Sequence, residues 1–109
     1  MAQRQDLIWD QGSRLLWVYE VTGLSLSGMQ ARMQVRSPDR ADLYYDASAH
    51  VAVDGINNFV TVDIPSDASV GMIWARGVYD IEVFLPASPT TSAIRIVQGD
   101  IALDREVTV

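Results

Sequence analysis

The chain's only histidine, His50, bounds the nucleophilic chemistry open to it. A serine nucleophile needs a base within hydrogen-bond reach and a third group to orient that base. No Gly-x-Ser-x-Gly elbow accompanies His50, which stands beside a predicted strand and reads as a surface or edge-strand residue. Cysteine is absent, which excludes disulfides, thiolate metal sites and cysteine nucleophiles. Paired carboxylates are the remaining acid–base device, and the candidates are Asp39/Asp42, Asp63/Asp67 and Asp80/Glu82. Asp80 and Glu82 lie two apart on a predicted strand, so they share one face and read as a solvated surface. Asp39, Asp42 and Asp46 cluster as loop ligands of calcium do, but no glycine stands where an EF-hand loop needs one. No catalytic residue, metal or cofactor is expected.

Aromatic side chains raise a second chemistry. Sugars stack on exposed aromatic faces, and Tyr44, Tyr45 and Trp74 are the candidate glycan platform. Trp17, Tyr19 and Tyr79 fall on apolar strand faces and read as core.

The net charge of −6 repels phosphate backbones, so nucleic acid is not an expected partner. All 8 basic residues are arginine. A GC-rich coding sequence accounts for that bias, and so does interface use, because Arg is enriched and Lys depleted where proteins meet. No apolar run is long enough to span a membrane, and the first residues, Met1 to Asp6, lack the apolar core of a signal peptide.

The elements that must position these residues repeat with period two. Met29, Ala31, Met33 and Val35 alternate with Gln30, Arg32, Gln34 and Arg36, the pattern of a half-buried strand. Leu15, Trp17, Tyr19 and Val21 share one face of an earlier strand, with Arg14, Leu16, Val18 and Glu20 on the other. Further strands are read at 43–45, 51–53, 60–64, 78–85, 94–98 and from 101 to the end. In the strand at 94–98, Ile94, Ile96 and Gln98 are placed on one face. Residues 66–74 admit one or two helical turns, since Gly71 sits inside. Asp54-Gly55 marks a hairpin. The expected core is Leu15, Trp17, Tyr19, Met29, Ala31, Met33, Val35, Val60, Val62, Ile64, Tyr79, Ile81, Val83, Ile94, Ile96 and Ile101. The fold class is therefore all-β: an antiparallel β-sandwich of seven or eight short strands with one short helical turn, in a single domain over residues 1–109.

The order of these signals resembles a known family. Leu24-Ser25-Leu26-Ser27-Gly28 leads into Met29 to Arg36. Gly77-Val78-Tyr79-Asp80-Ile81-Glu82-Val83 follows the helical segment. Ile94-Arg95-Ile96-Val97-Gln98-Gly99-Asp100-Ile101 precedes Glu106-Val107-Thr108. Taken together they are similar to the small β-sandwich domains of tailed bacteriophages typified by the N-terminal domain of the baseplate upper protein. In that family a leucine–Ser/Thr–Gly turn opens a strand ending in Arg, and a Tyr-Asp-apolar-Glu-apolar strand follows a short helix. Two departures stand out. Family members often run on past the final Val-Thr, whereas this chain stops at Val109, and Thr22-Gly23 replaces an Asp-x-x-Gly-x-Pro hairpin.

The resemblance implies a non-enzymatic virion structural protein in the tail or baseplate, made in the host cytoplasm. Its partners would be other virion proteins and copies of itself, with no nucleic acid and no membrane insertion. A carbohydrate-binding receptor-recognition module and a head decoration protein are the alternatives. Gln30, Arg32, Gln34 and Arg36 are the expected interface. They should project from one strand about 6–7 Å apart, as two Arg and two amides able to meet carboxylates and backbone of a neighbour.

Overall fold

A computed structural model describes residues 3–105. Strands make up 51% of it, and the only helices are lone 3-10 turns. Nine strands form: β1 (Gln3–Arg4), β2 (Leu7–Asp10), β3 (Leu15–Glu20), β4 (Gln30–Arg36), β5 (Leu43–Asp46), β6 (Val51–Asp54), β7 (Phe59–Ile64), β8 (Arg76–Phe84) and β9 (Ile94–Asp104). They make two packed sheets, one ordered β1-β9-β8-β4-β5 with β2 also on β9, the other ordered β3-β7-β6. The β-sandwich read from the two-residue period is present.

Two of its details differ from expectation. The described residues hold nine strands rather than seven or eight, and β1 and β2 run parallel to β9, so the larger sheet is mixed rather than wholly antiparallel. Gln3 to Asp6 carries no apolar alternation, so sequence offers nothing to mark that edge. Tertiary contacts hold it instead. The Tyr79 hydroxyl donates to the Gln5 carbonyl, and the Asp6 carboxylate accepts the Asp100 N–H at 3.0 Å. Gly99 faces the same carbonyl, and any side chain there would collide with it. The helical turn expected in 66–74 is a single 3-10 turn, Ser66–Ser69, and Gly71 beyond it takes φ +87. A second such turn, Ser48–His50, was not signalled by any apolar period.

The core lies between the sheets. Met33, Val35, Val60, Val62, Ile64, Ile81 and Val83 are fully buried, as the alternation requires, with Tyr79 and Ile101 beside them. Four members of the expected core, Leu15, Trp17, Tyr19 and Met29, are only half-buried. The first three line the inner face of β3, which has no strand beyond it. Ile94 is 41% exposed at the open end of the sandwich.

A bulge explains the other error of facing. The register of β8 on β9 pairs Ile81 with Val97 and Glu82 with Arg95, which leaves Ile96 as the extra residue. The phase of β9 resets there. Ile96 and Val97 are both buried, while Gln98 turns outward opposite Asp80. Besides Val21 just past β3, two residues outside any strand enter the core. Leu26 is buried from its turn, its N–H held by Asn58 Oδ1 at 3.1 Å, and Ala47 is buried with its N–H on the Met33 carbonyl. Strand periodicity cannot see either. The closing Val107 and Val109, read as strand, lie outside the described residues.

Candidate functional surface

The stripe predicted on Met29 to Arg36 faces outward from β4, and register decides what each member meets. Gln30 lies opposite Phe84, Arg32 opposite Glu82, Gln34 opposite Asp80 and Arg36 opposite Val78. Arg32 Nε donates to Glu82 Oε1 at 2.9 Å, its Nη2 reaches the Pro89 carbonyl at 3.2 Å, and its guanidinium lies 4.7 Å from the centre of the Phe84 ring. The Arg32 and Glu82 side chains are 33% and 27% exposed, so this pair is shielded more than an ordinary surface bridge. Arg36 donates through Nε and Nη2 to Gln34 Oε1 and through Nη1 to the Arg40 carbonyl. The two arginines of the stripe are therefore already engaged within the chain, Arg32 across to β8 and Arg36 along its own strand and the turn that follows.

The same face arranges its acids against its arginines. Asp80 receives Arg95 at 3.2 Å and Arg40 at 3.9 Å. Burial pushes the Asp80 carboxyl up from its usual value, opposed by the positive charge of Arg95 and reinforced by neighbouring Glu82. Asp80 and Glu82 do share a face, as their spacing requires, and each is bridged to arginine. The other acid pairs are taken up differently. Asp63 accepts two bonds from Arg14, which hold its carboxyl below the usual range. Asp39 accepts the Ser37 hydroxyl and the Ala41 N–H, an Asx-type turn that lowers it likewise. Asp46 is lowered by Ser48. Among the described residues no group of three or more His, Asp or Glu converges on one point, the trio Asp39, Asp42 and Asp46 included. His50 ends the 3-10 turn that leads into β6.

The three residues of the glycan platform do come together. Tyr44 and Trp74 stack with ring centres 5.2 Å apart and planes 11° from parallel. Trp9, 1% exposed, touches Trp74 at 6.5 Å and Tyr45 at 5.7 Å. Tyr44, Tyr45 and Trp74 are half-buried, and the Trp74 Nε1 is buried without a hydrogen-bond partner. Gly77 lets this cluster close, because a Cβ there would lie 2.5 Å from the Arg36 carbonyl and 3.3 Å from the Tyr44 ring. The cluster fills one end of the sandwich and ties β2 to β5.

The surface that sequence reasoning passed over is the outside of the smaller sheet. Leu16 and Val18 of β3 are 52% and 54% exposed there. At the far edge of the larger sheet, Ile8 of β2 is 71% exposed. The signal was available in β3: Arg14 to Glu20 has apolar residues on both faces, whereas Met29 to Arg36 has them on one. Two apolar faces on an edge strand mean one of them is uncovered. No protein-family model matches the chain, and no curated protein matches its sequence.

Proposed function

We propose that this chain is a non-enzymatic docking module, a structural subunit of a tailed bacteriophage particle that sits in the tail or baseplate and holds other tail or fibre proteins. The observation that carries the docking role is the chemistry of the sheet edges. Edge strands β2, β3 and β5 each bear a large exposed apolar side chain, Ile8, Leu16 with Val18, and Leu43. Unpaired strand edges flanked by apolar side chains favour association with another chain. The phage assignment rests on the ordered motifs that resemble the baseplate upper protein family. In the fold the Leu24–Gly28 turn precedes β4, and Tyr79 to Val83 lies inside β8.

The carbohydrate-binding reading draws on Tyr44, Tyr45 and Trp74. Their rings pack on one another and on Trp9 rather than standing free, which favours docking over sugar stacking. The test is particle composition. Gradient-purified particles of the phage that encodes this chain should contain it at a fixed copy number, and cross-linking should join it to a tail or fibre protein. Its absence from particles overturns the virion role. Glycan binding abolished by Trp74→Ala, in a protein that still folds, would replace docking with sugar recognition.

A further inference from the structure

The strand β3 is the longest of the edge strands, and it is both regularly paired and unguarded. It has six residues, while the edge strands β2, β5 and β6 have four each. It pairs with β7 without a register shift, whereas the pairing of β5 is bulged between Val35 and Arg36. It contains no proline, and the chain has no lysine to guard it. Natural sheets blunt their edges with those devices. The Val21 N–H bonds the Asn58 carbonyl at 2.9 Å, which sets the backbone alternation along the strand. Leu15, Trp17 and Tyr19 turn their backbone groups to β7, and Leu16, Val18 and Glu20 turn theirs to the open edge.

We propose that β3 pairs antiparallel with β3 of a second copy of this chain, about a two-fold axis at Trp17, to join two three-stranded sheets into one of six. The sequence of the edge is self-complementary about that point. Arg14 comes opposite Glu20 of the second copy, Leu16 opposite Val18, and Trp17 opposite Trp17. Leu16 and Val18, whose backbone groups are the free ones, then exchange N–H···O bonds in both directions. The neighbouring registers fail this match. Centring on Val18 sets Leu16 against Glu20, and centring on Leu16 sets Val18 against Arg14. Only the Trp17 axis puts cation on anion and apolar on apolar, the pairing that stabilises antiparallel neighbours. Arg14 has capacity for it. Its Nε and Nη2 hold Asp63 at 2.7 and 2.9 Å, and the remaining Nη1 donors are open to Glu20 of the second copy. The inner row gains as well. Leu15, Trp17 and Tyr19 are half-buried in one copy, and a strand laid alongside covers them. A closed pair of this kind is isologous, so it does not propagate into fibres.

This pairing stands apart from the virion reading and is tested apart from it. Sedimentation equilibrium of the purified chain should show a dimer. In the dimer the amides of Leu16, Val18 and Glu20 should exchange with solvent at least about tenfold more slowly than on dilution to monomer. Glu20→Arg, which sets like charges opposite each other twice by symmetry, should raise the dimer Kd by about tenfold or more. Register is read by disulfides, since the chain has no cysteine of its own. A mixture of Leu16→Cys and Val18→Cys should cross-link between the two variants in preference to either with itself. A monomer at every soluble concentration overturns the proposal. So does fast exchange at those three amides in a dimer, or preferential self-linking of Leu16→Cys or Val18→Cys. Dimerisation by a chain that particles do not contain would leave the pairing intact and remove only the virion role.

Discussion

Two strands of similar length, β4 and β3, end with opposite surfaces. β4 lies between β8 and β5, so its outward side chains have a strand on each flank. Arg32 finds Glu82 and the Phe84 ring, and Gln34 finds Arg36. The outward side chains of β3 have β7 on one flank and, among the described residues, no strand on the other. Leu16 and Val18 there stay half-open to water. A charged stripe in the middle of a sheet is consumed by its neighbours, while an apolar stripe at the edge is left for another molecule. Position in the sheet and the residue types on the outward row together separate an internal lattice of charge from an adhesive surface.

The largest expected effect checks the shared layer beneath both faces. Ile81 is fully buried behind the charged face, and Ile81→Ala should cost about 2–5 kcal/mol of stability by urea unfolding. A negligible change would show that β8 does not anchor the core. A smaller effect separates the faces: Glu82→Ala strips a shielded partner from Arg32 and should cost about 1–2 kcal/mol. Leu16→Thr, on the open face of β3, should change monomer stability by less than about 0.5 kcal/mol while weakening self-association. Equal costs for Glu82→Ala and Leu16→Thr in the monomer would collapse the contrast.

Titration sharpens the same contrast with opposite signs. Asp63, beside β3, has its carboxyl lowered by Arg14, so the ionised form favours folding. That contribution is present above the ordinary carboxylate value of 3.8 and is lost as pH falls through the lower folded value. Asp80, on the β4–β8 face, has its carboxyl raised by burial, so ionisation there works against folding. That penalty is present above its folded value and is relieved as pH falls through it and then below 3.8. Carboxyl chemical shifts followed by NMR should therefore show Asp80 titrating at higher pH than Asp63. The reverse order would mean that Arg95 and Arg40 outweigh burial at Asp80.

Legibility followed the period. Where apolar and polar residues alternate without fault, as in Met29 to Arg36, the strand and its facing were readable, and Ala31, Met33 and Val35 of its apolar row are buried while Met29 before it is half-buried. Legibility ended where a single residue breaks phase. The bulge at Ile96 moves Val97 inward and Gln98 outward, and no local residue preference announces it. It ended again at the N-terminal edge, where parallel pairing draws on Tyr79, Gly99 and Asp100, some 74 to 94 residues away. The stripe on β4 was legible as an outward row. That Arg32 is held by Glu82 and Pro89 was not, because those contacts join segments far apart in the chain.

The sequence by itself determined the class of this protein: an all-β fold with a Val- and Ile-rich core and a net acidic composition. Period-two alternation states which side chains a strand can share on one face, and that is a local property of the backbone. Only the tertiary structure decided which strands lie at an edge and which in the middle. It also decided which carboxylates meet arginine, and where apolar side chains are left facing water. Those outcomes depend on pairing between segments far apart in the chain, and pairing is fixed by the joint packing of both sheets rather than by any stretch alone.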